Sequence, residues 1–172
     1  MEIYSYFQVL CTIHTLQLSV NDTLKSVKAF GAEMETVLKK SKTLANYVRK
    51  SGPATQELKA ACEELKITYT TLKNPQETRW NSQNTNLASL IKVKSALVKL
   101  ANDDTSGDWA TRGLTAAEWK LAEGAVKVLD LPLYVTKAWE AETTPTMNLV
   151  ISELYSMKIK LESYVGDISK CK

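Results

Sequence analysis

The stretch AEMETVLKKSKTLANYVRKSGPATQELKAACEELKITYTTLKNP, residues 32–75, decides the fold class. Over 32–51 the apolar residues Met34, Val37, Leu38, Leu44 and Val48 recur at three- and four-residue spacing, so they share one face of an α-helix. Gly52-Pro53 marks its end. Over 54–73, Leu58, Ala61, Cys62, Leu65, Tyr69 and Leu72 repeat the pattern up to the stop signal Asn74-Pro75. Together the two segments read as a helical hairpin.

Upstream, Leu16, Val20, Leu24 and Val27 fall on one helical face, and Gly31 after Phe30 predicts a stop or bend. Residues 3–13, IYSYFQVLCTI, are β-branched and aromatic without helical periodicity, which predicts a short buried strand. A lone strand is not stable, so its pairing partners are expected from outside this chain. Downstream, the polar run PQETRWNSQNT connects to a helix over 84–101 carrying Leu87, Leu90, Ile91, Leu97 and Val98. The run NDDTSGDWATRG, 102–113, reads as a loop by composition. Thr115 followed by Glu118 is a capping-box pair, opening a helix with Trp119, Ala122, Val126 and Leu129 on one side. Pro132 should kink or end it, with resumption through Trp139. Thr144-Pro145 opens a last helix with Val150, Leu154, Met157, Leu161 and Val165 inward. The expectation is a mainly α fold: one domain over 1–172, a helical array preceded by one short N-terminal strand within 1–14.

Composition agrees. Of 172 residues, 44% are apolar and 24% charged, which excludes a disordered tail or a collagen-like repeat. Only 6 Gly and 4 Pro favour long helices over many short strands. A net charge of +3 tolerates a nucleic-acid partner without demanding one. No run approaches the roughly 18 apolar residues of a membrane span, and the opening residues lack the basic segment of a secretory signal. Cys11, Cys62 and Cys171 are odd in number and widely spaced, which predicts free thiols in a reducing compartment.

Three groups of residues could carry chemistry. Cys11-x-x-His14 has half of a zinc-ligand spacing, but His14 is the single histidine and the second half is missing. The alternatives are a buried thiol beside a hydrogen-bonded imidazole and a Cys-His nucleophile pair. Thr78-Arg79-Trp80-Asn81-Ser82 sets an indole beside a guanidinium in a polar connection. It reads either as a nucleic-acid contact, with the indole stacking on a base and the guanidinium on phosphate, or as a capping loop in which Trp80 tucks into the bundle and Asn81 or Ser82 caps the next helix. Lys39, Lys40, Lys42, Arg49 and Lys50 lie in twelve residues without a carboxylate, either a strip for a phosphate backbone or the solvated side of a helix. No carboxylate pair suggests a glycosidase or two-metal centre, and there is no Gly-rich phosphate loop or nucleophile elbow.

In order and rough spacing, C-x-x-H-x-L-Q-L at 11–18, Arg79-Trp80-Asn81-Ser82, Leu114-Thr115-Ala116-Ala117-Glu118-Trp119 and Thr144-Pro145-Thr146 resemble the hAT superfamily of DNA transposases and their domesticated relatives with BED-type zinc fingers. The resemblance spans nearly the whole chain. It implies an RNase H-like core bearing an Asp, Asp, Glu triad for two metal ions, interrupted by a large all-α insertion. The C-x-x-H segment would lie on the last core strand before that insertion, making His14 an active-site neighbour, Trp80 the group that stacks on a flipped base, and Arg79 a backbone contact. Arg79, Trp80, Asn81, Ser82, His14, Lys39, Lys40 and Lys42 are thus the candidate DNA-binding residues.

The resemblance also implies that the strands bearing both aspartates, and the region of the glutamate, fall outside this chain. The expectation is a catalytically incomplete, DNA-binding, transposase-derived module in the nucleus. It would hold no cofactor of its own, magnesium belonging to a complete parent transposase, and would form homo-oligomers through that parent. No membrane or small-molecule partner is expected. The alternative is a non-catalytic protein-interaction scaffold of the same origin.

Overall fold

The computed structural model describes residues 15, 16, 18–20, 28–75, 80–141 and 147–170. The strand predicted over 3–13, with Cys11 and His14, lies outside the described residues, and among those described there is no strand. The chain divides into two compact units, Leu24–Val126 and, separately, Met1–Thr23 with Lys127–Lys172.

In the first unit, α1 spans Lys28–Lys50 and passes through Gly31 instead of stopping there. A helical glycine costs only about 1 kcal/mol relative to alanine, too little to end a segment held by Met34, Val37, Leu44, Ala45 and Val48, all buried. α2 spans Gly52–Glu64. Gly52-Pro53 both ends α1 and opens α2, because a proline in the first turn gives up no helical hydrogen bond. Ser51 makes the corner: its backbone is extended, and its Oγ accepts the Ala54 N–H at 3.2 Å. Thr55 Oγ1 donates to the Val48 carbonyl at 2.5 Å, tying the first turn of α2 to the last of α1.

The helix predicted over 54–73 ends at Glu64, short of Asn74-Pro75. Lys66 adopts φ +55°, the Ile67 N–H bonds the Cys62 carbonyl at 2.8 Å, and the Lys66 N–H bonds that of Glu63 at 3.0 Å. That is a Schellman stop with lysine where glycine is usual. The run Ile67-Thr68-Tyr69-Thr70-Thr71 then continues without helix. Its β-branched side chains lose rotamer freedom in a helix, so it does not resist the stop. Relieving the left-handed lysine should help the fold: Lys66→Gly is expected to stabilise by up to about 1 kcal/mol, read as a higher urea midpoint.

The helix predicted over 84–101 is two, α3 (Trp80–Lys92) and α4 (Lys94–Asp103). They break at the fully buried Val93, which bonds back to Leu90 in a tighter three-residue turn. The run read as a loop at 102–113 holds a short helix, α5 (Asp108–Arg112). Asp104 organises it, accepting the N–H groups of Trp109 at 2.6 Å and Ala110 at 3.0 Å and the Ser106 hydroxyl at 2.7 Å. Those bonds, the Ala110 amide foremost, hold its carboxyl down to about 2. Gly107 at φ +81° supplies the left-handed turn between them.

α6 (Ala116–Ala141) opens on the capping box as read: Glu118 Oε2 accepts the Thr115 N–H at 2.7 Å and Thr115 Oγ1 the Glu118 N–H at 3.2 Å. Pro132 does not end it; the helix runs on, and the Thr136 hydroxyl bonds the Pro132 carbonyl at 2.8 Å. In the core of the first unit α1 packs on α2 and α3, and α2 and α5 pack on α4. Leu58, Leu72, Leu87, Leu90 and Trp119 are buried at its centre.

In the second unit α7 spans Met147–Lys170. Leu154 and Met157 pack with Leu16 and Val135, as the predicted inward face required, and Leu161 is half-buried. Thr144-Pro145 and the side chains of Val150 and Val165 lie outside the described residues. Ile151, Tyr155 and Ile159 stay exposed on α7.

Candidate nucleic-acid interface

The non-helical run 67–75 precedes α3 in the chain. Trp80 is the first residue of α3. Its side chain, like Arg79 and His14, lies outside the described residues. Asn81 and Ser82 occupy the first helical turn, half-buried, inside α3 and not ahead of it, so neither is its N-cap. The Asn81 carbonyl accepts the Thr85 hydroxyl at 2.8 Å.

One turn further, α3 grips the approaching backbone. The Asn86 amide donates to the Lys73 carbonyl at 2.6 Å, and the Lys73 N–H donates to Ser89 Oγ at 3.1 Å. The Ser89 hydroxyl itself donates to the Asn86 carbonyl at 2.7 Å. Both backbone polar groups of Lys73 are therefore satisfied by α3 side chains, much as a neighbouring strand would satisfy them. Arg49 Nη1 reaches the Leu72 carbonyl at 3.3 Å, a second tether to the same segment. Asn86 and Ser89 were not among the sequence candidates. Their signal was a pair of polar residues three apart, interleaved with Leu87 and Leu90 and buried with them.

Two lysines of the basic strip are paired with carboxylates that lie outside it. Lys39 pairs with Glu35 at 2.7 Å one turn earlier, and that bond, then the charge of Lys39, lowers the Glu35 carboxyl. Lys40 pairs with Glu118 of the capping box at 2.7 Å. Burial pushes the Glu118 carboxyl up, but the bonds from Lys40 and the Thr115 N–H outweigh it and leave the group below its ordinary value. Lys42 is half-buried, and Arg49 and Lys50 are exposed. An i,i+4 partner was readable in the sequence; a carboxylate 78 residues away was not.

Beside the strip, Trp109 is buried at 5% exposure, and its indole N–H donates to Glu57 Oε2 at 2.7 Å. The Tyr47 ring meets it edge-on with centroids 5.3 Å apart, and the Arg112 guanidinium stacks 4.5 Å from the Tyr47 centroid. Burial and then the carboxylates of Asp108 and Glu57 push the Tyr47 phenol up, keeping it protonated and able to donate. Cys62 is buried as a free thiol, and burial pushes it up as well, away from reactivity. Among the described residues no three His, Cys, Asp or Glu side chains gather as a metal ion would need, and no helix is long and apolar enough to cross a membrane.

Comparison with known proteins adds the family. Neither the curated proteins nor the solved structures give a match. Residues 9–128 match the family described as the ZBED1 RNase-like helical domain. That range takes in the C-x-x-H segment, the Arg79-Trp80 pair and the capping box, in agreement with a transposase-derived origin. Matched over well more than half of its 172 residues, and mainly helical in the described part of that range, this chain belongs to the ZBED1 RNase-like helical domain family.

Proposed function

We propose that this chain is a DNA-contacting helical module that does not itself cut DNA. Arg79 holds the phosphate backbone, Trp80 stacks on an unstacked base, and Asn81, Ser82 and His14 complete the contact. The observation that carries the reading is the position of Trp80 at the opening of α3, in a chain of this family, with the segment at Leu72 and Lys73 tethered by Asn86, Ser89 and Arg49. A stacking group placed by a tethered scaffold loses less freedom on binding than one on a free loop. Lys39, Lys40 and Lys42 contribute the salt-dependent part, Lys39 and Lys40 by exchanging Glu35 and Glu118 for phosphate. Two-metal strand cleavage needs carboxylates on both ions, and we assign these, with magnesium, to the RNase H-like core of a complete parent acting in the nucleus.

The full chain is expected to bind a hairpin with a single-strand junction, with affinity falling steeply as salt rises. Stacking on one base is worth about 1–3 kcal/mol, so Trp80→Ala should weaken binding roughly tenfold or more while leaving the thermal melt in place. Anisotropy titrations of both proteins decide it; equal affinities would remove Trp80 from the site.

A second reading, a protein-interaction scaffold, is favoured by one observation. Ile151, Tyr155 and Ile159 follow at four-residue spacing along α7 and are 68%, 64% and 50% exposed. Such a stripe is the kind of apolar surface that partner helices cover. Its signature would be concentration-dependent association in sedimentation together with no salt-sensitive DNA binding.

A further inference from the structure

The first unit carries an open cleft of about 360 Å³, lined by Thr43, Asn46, Tyr47, Lys50, Ser51 and Arg112. Two of those six side chains are cations, none is a carboxylate, and all carry donors, of which the Thr43 hydroxyl is already given to the Lys39 carbonyl at 2.9 Å. Most of the exposed wall is side-chain carbon, and its polar remainder suits a ligand that accepts. The volume is at the lower end of the range for small-ligand clefts, roughly 300–1,000 Å³, enough for a phosphate with the sugar attached to it.

The wall is also held in place. Thr43, Asn46, Tyr47 and Lys50 project from the last two turns of α1, and Ser51 is the corner residue that caps α2. Arg112 is fixed from two sides: it stacks on Tyr47, and its Nη1 donates to the Asp108 carbonyl at 2.7 Å and to Asp108 Oδ1 at 2.6 Å. Among the described residues only Nη1 is used in those bonds. Asp108 pairs with Arg112, and Glu57 and Asp104 also stand near enough to act on the Tyr47 phenol, so the unspent cation of the cleft is Lys50, which pairs with no carboxylate among the described residues. A planar guanidinium already oriented, next to a mobile ammonium and neutral donors, is a recurrent way to hold a phosphate group.

We infer that this cleft binds a phosphate group, either of a nucleic-acid backbone or free in solution. The inference does not use Trp80, and its failure is separable from that of the DNA reading. The full chain, labelled with ¹⁵N, is titrated with inorganic pyrophosphate and separately with a twelve-nucleotide oligothymidylate while the amides of Thr43, Asn46, Ser51 and Arg112 are followed. The same titrations use Lys50→Glu and Asn46→Asp, which add a carboxylate to the cleft without touching the buried core, and Lys50→Gln, which removes the charge alone.

Saturable shifts at these amides with either probe, weakened about tenfold or more by the carboxylate variants and less by Lys50→Gln, support the inference. Response to pyrophosphate alone assigns the cleft to free phosphate, and response to the oligonucleotide assigns it to the backbone. No saturable shift with either probe overturns it. So does equal affinity in all three variants, and if Trp80→Ala then abolishes oligonucleotide binding, the DNA reading stands while the cleft assignment falls. Circular dichroism melts confirm that the variants fold; should one not, the remaining two decide.

Discussion

Trp109→Ala is expected to lower the stability of the first unit by about 3–5 kcal/mol, the usual cost of truncating a buried tryptophan. The indole is 5% exposed, offers its edge contact to Tyr47, and donates to Glu57. It is also the apolar anchor of α5, a helix of 5 residues, too short to persist without packing. Losing the anchor should release α5, and with it the Arg112 guanidinium from the Tyr47 ring. Trp109→Phe keeps a ring in the site and removes only the bond to Glu57. Glu57 is exposed and can return to water, so that variant should lose less than about 2 kcal/mol. Urea unfolding followed by far-ultraviolet circular dichroism compares the two, and equal midpoints for Trp109→Ala and the unaltered chain would show that α5 does not depend on the indole.

The second large effect separates two leucines that sequence periodicity places on the same stripe. Leu58 in α2 has no exposed surface, whereas Leu65, seven residues on, is 39% exposed. Leu58→Ala should therefore cost about 2–5 kcal/mol, the range for a buried leucine that leaves a cavity. Leu65→Ala should stay within about 1 kcal/mol of the unaltered chain. The difference tests where α2 ends. Had the helix run through to Asn74 as its period implied, the two substitutions would cost alike.

Where local chemistry was sufficient, the sequence could be read. The Thr115 and Glu118 pair specified a helix start because each side chain answers the other's backbone amide within four residues. The buried stripe Met34, Val37, Leu44 and Val48 followed from spacing alone. The readings that missed depended on a competition that spacing does not express. The apolar period of 54–73 continued past Glu64, but Leu72 is buried from a non-helical segment, so burial survived while the conformation changed. A short helix in 102–113 escaped notice because five residues carry no period, and what forms it is an aspartate reaching forward to two amides.

The candidate site divides the same way. Arg79 and Trp80 stood out as an unusual pair in a polar run. The Asn86 and Ser89 grip on Lys73, the Lys40 pairing with Glu118, and the gathering of Lys50 and Arg112 at one cleft join residues too far apart in the chain for any local pattern to show.

By itself the sequence determined that this protein is an array of amphipathic helices and to which family it belongs, because helical period, caps and motif order are properties of neighbouring residues. Only the tertiary structure decided where those helices stop and which charges remain available to a ligand. A stop is chosen by what the following residues can pack against, and a charge is spent or free according to what another part of the chain brings beside it.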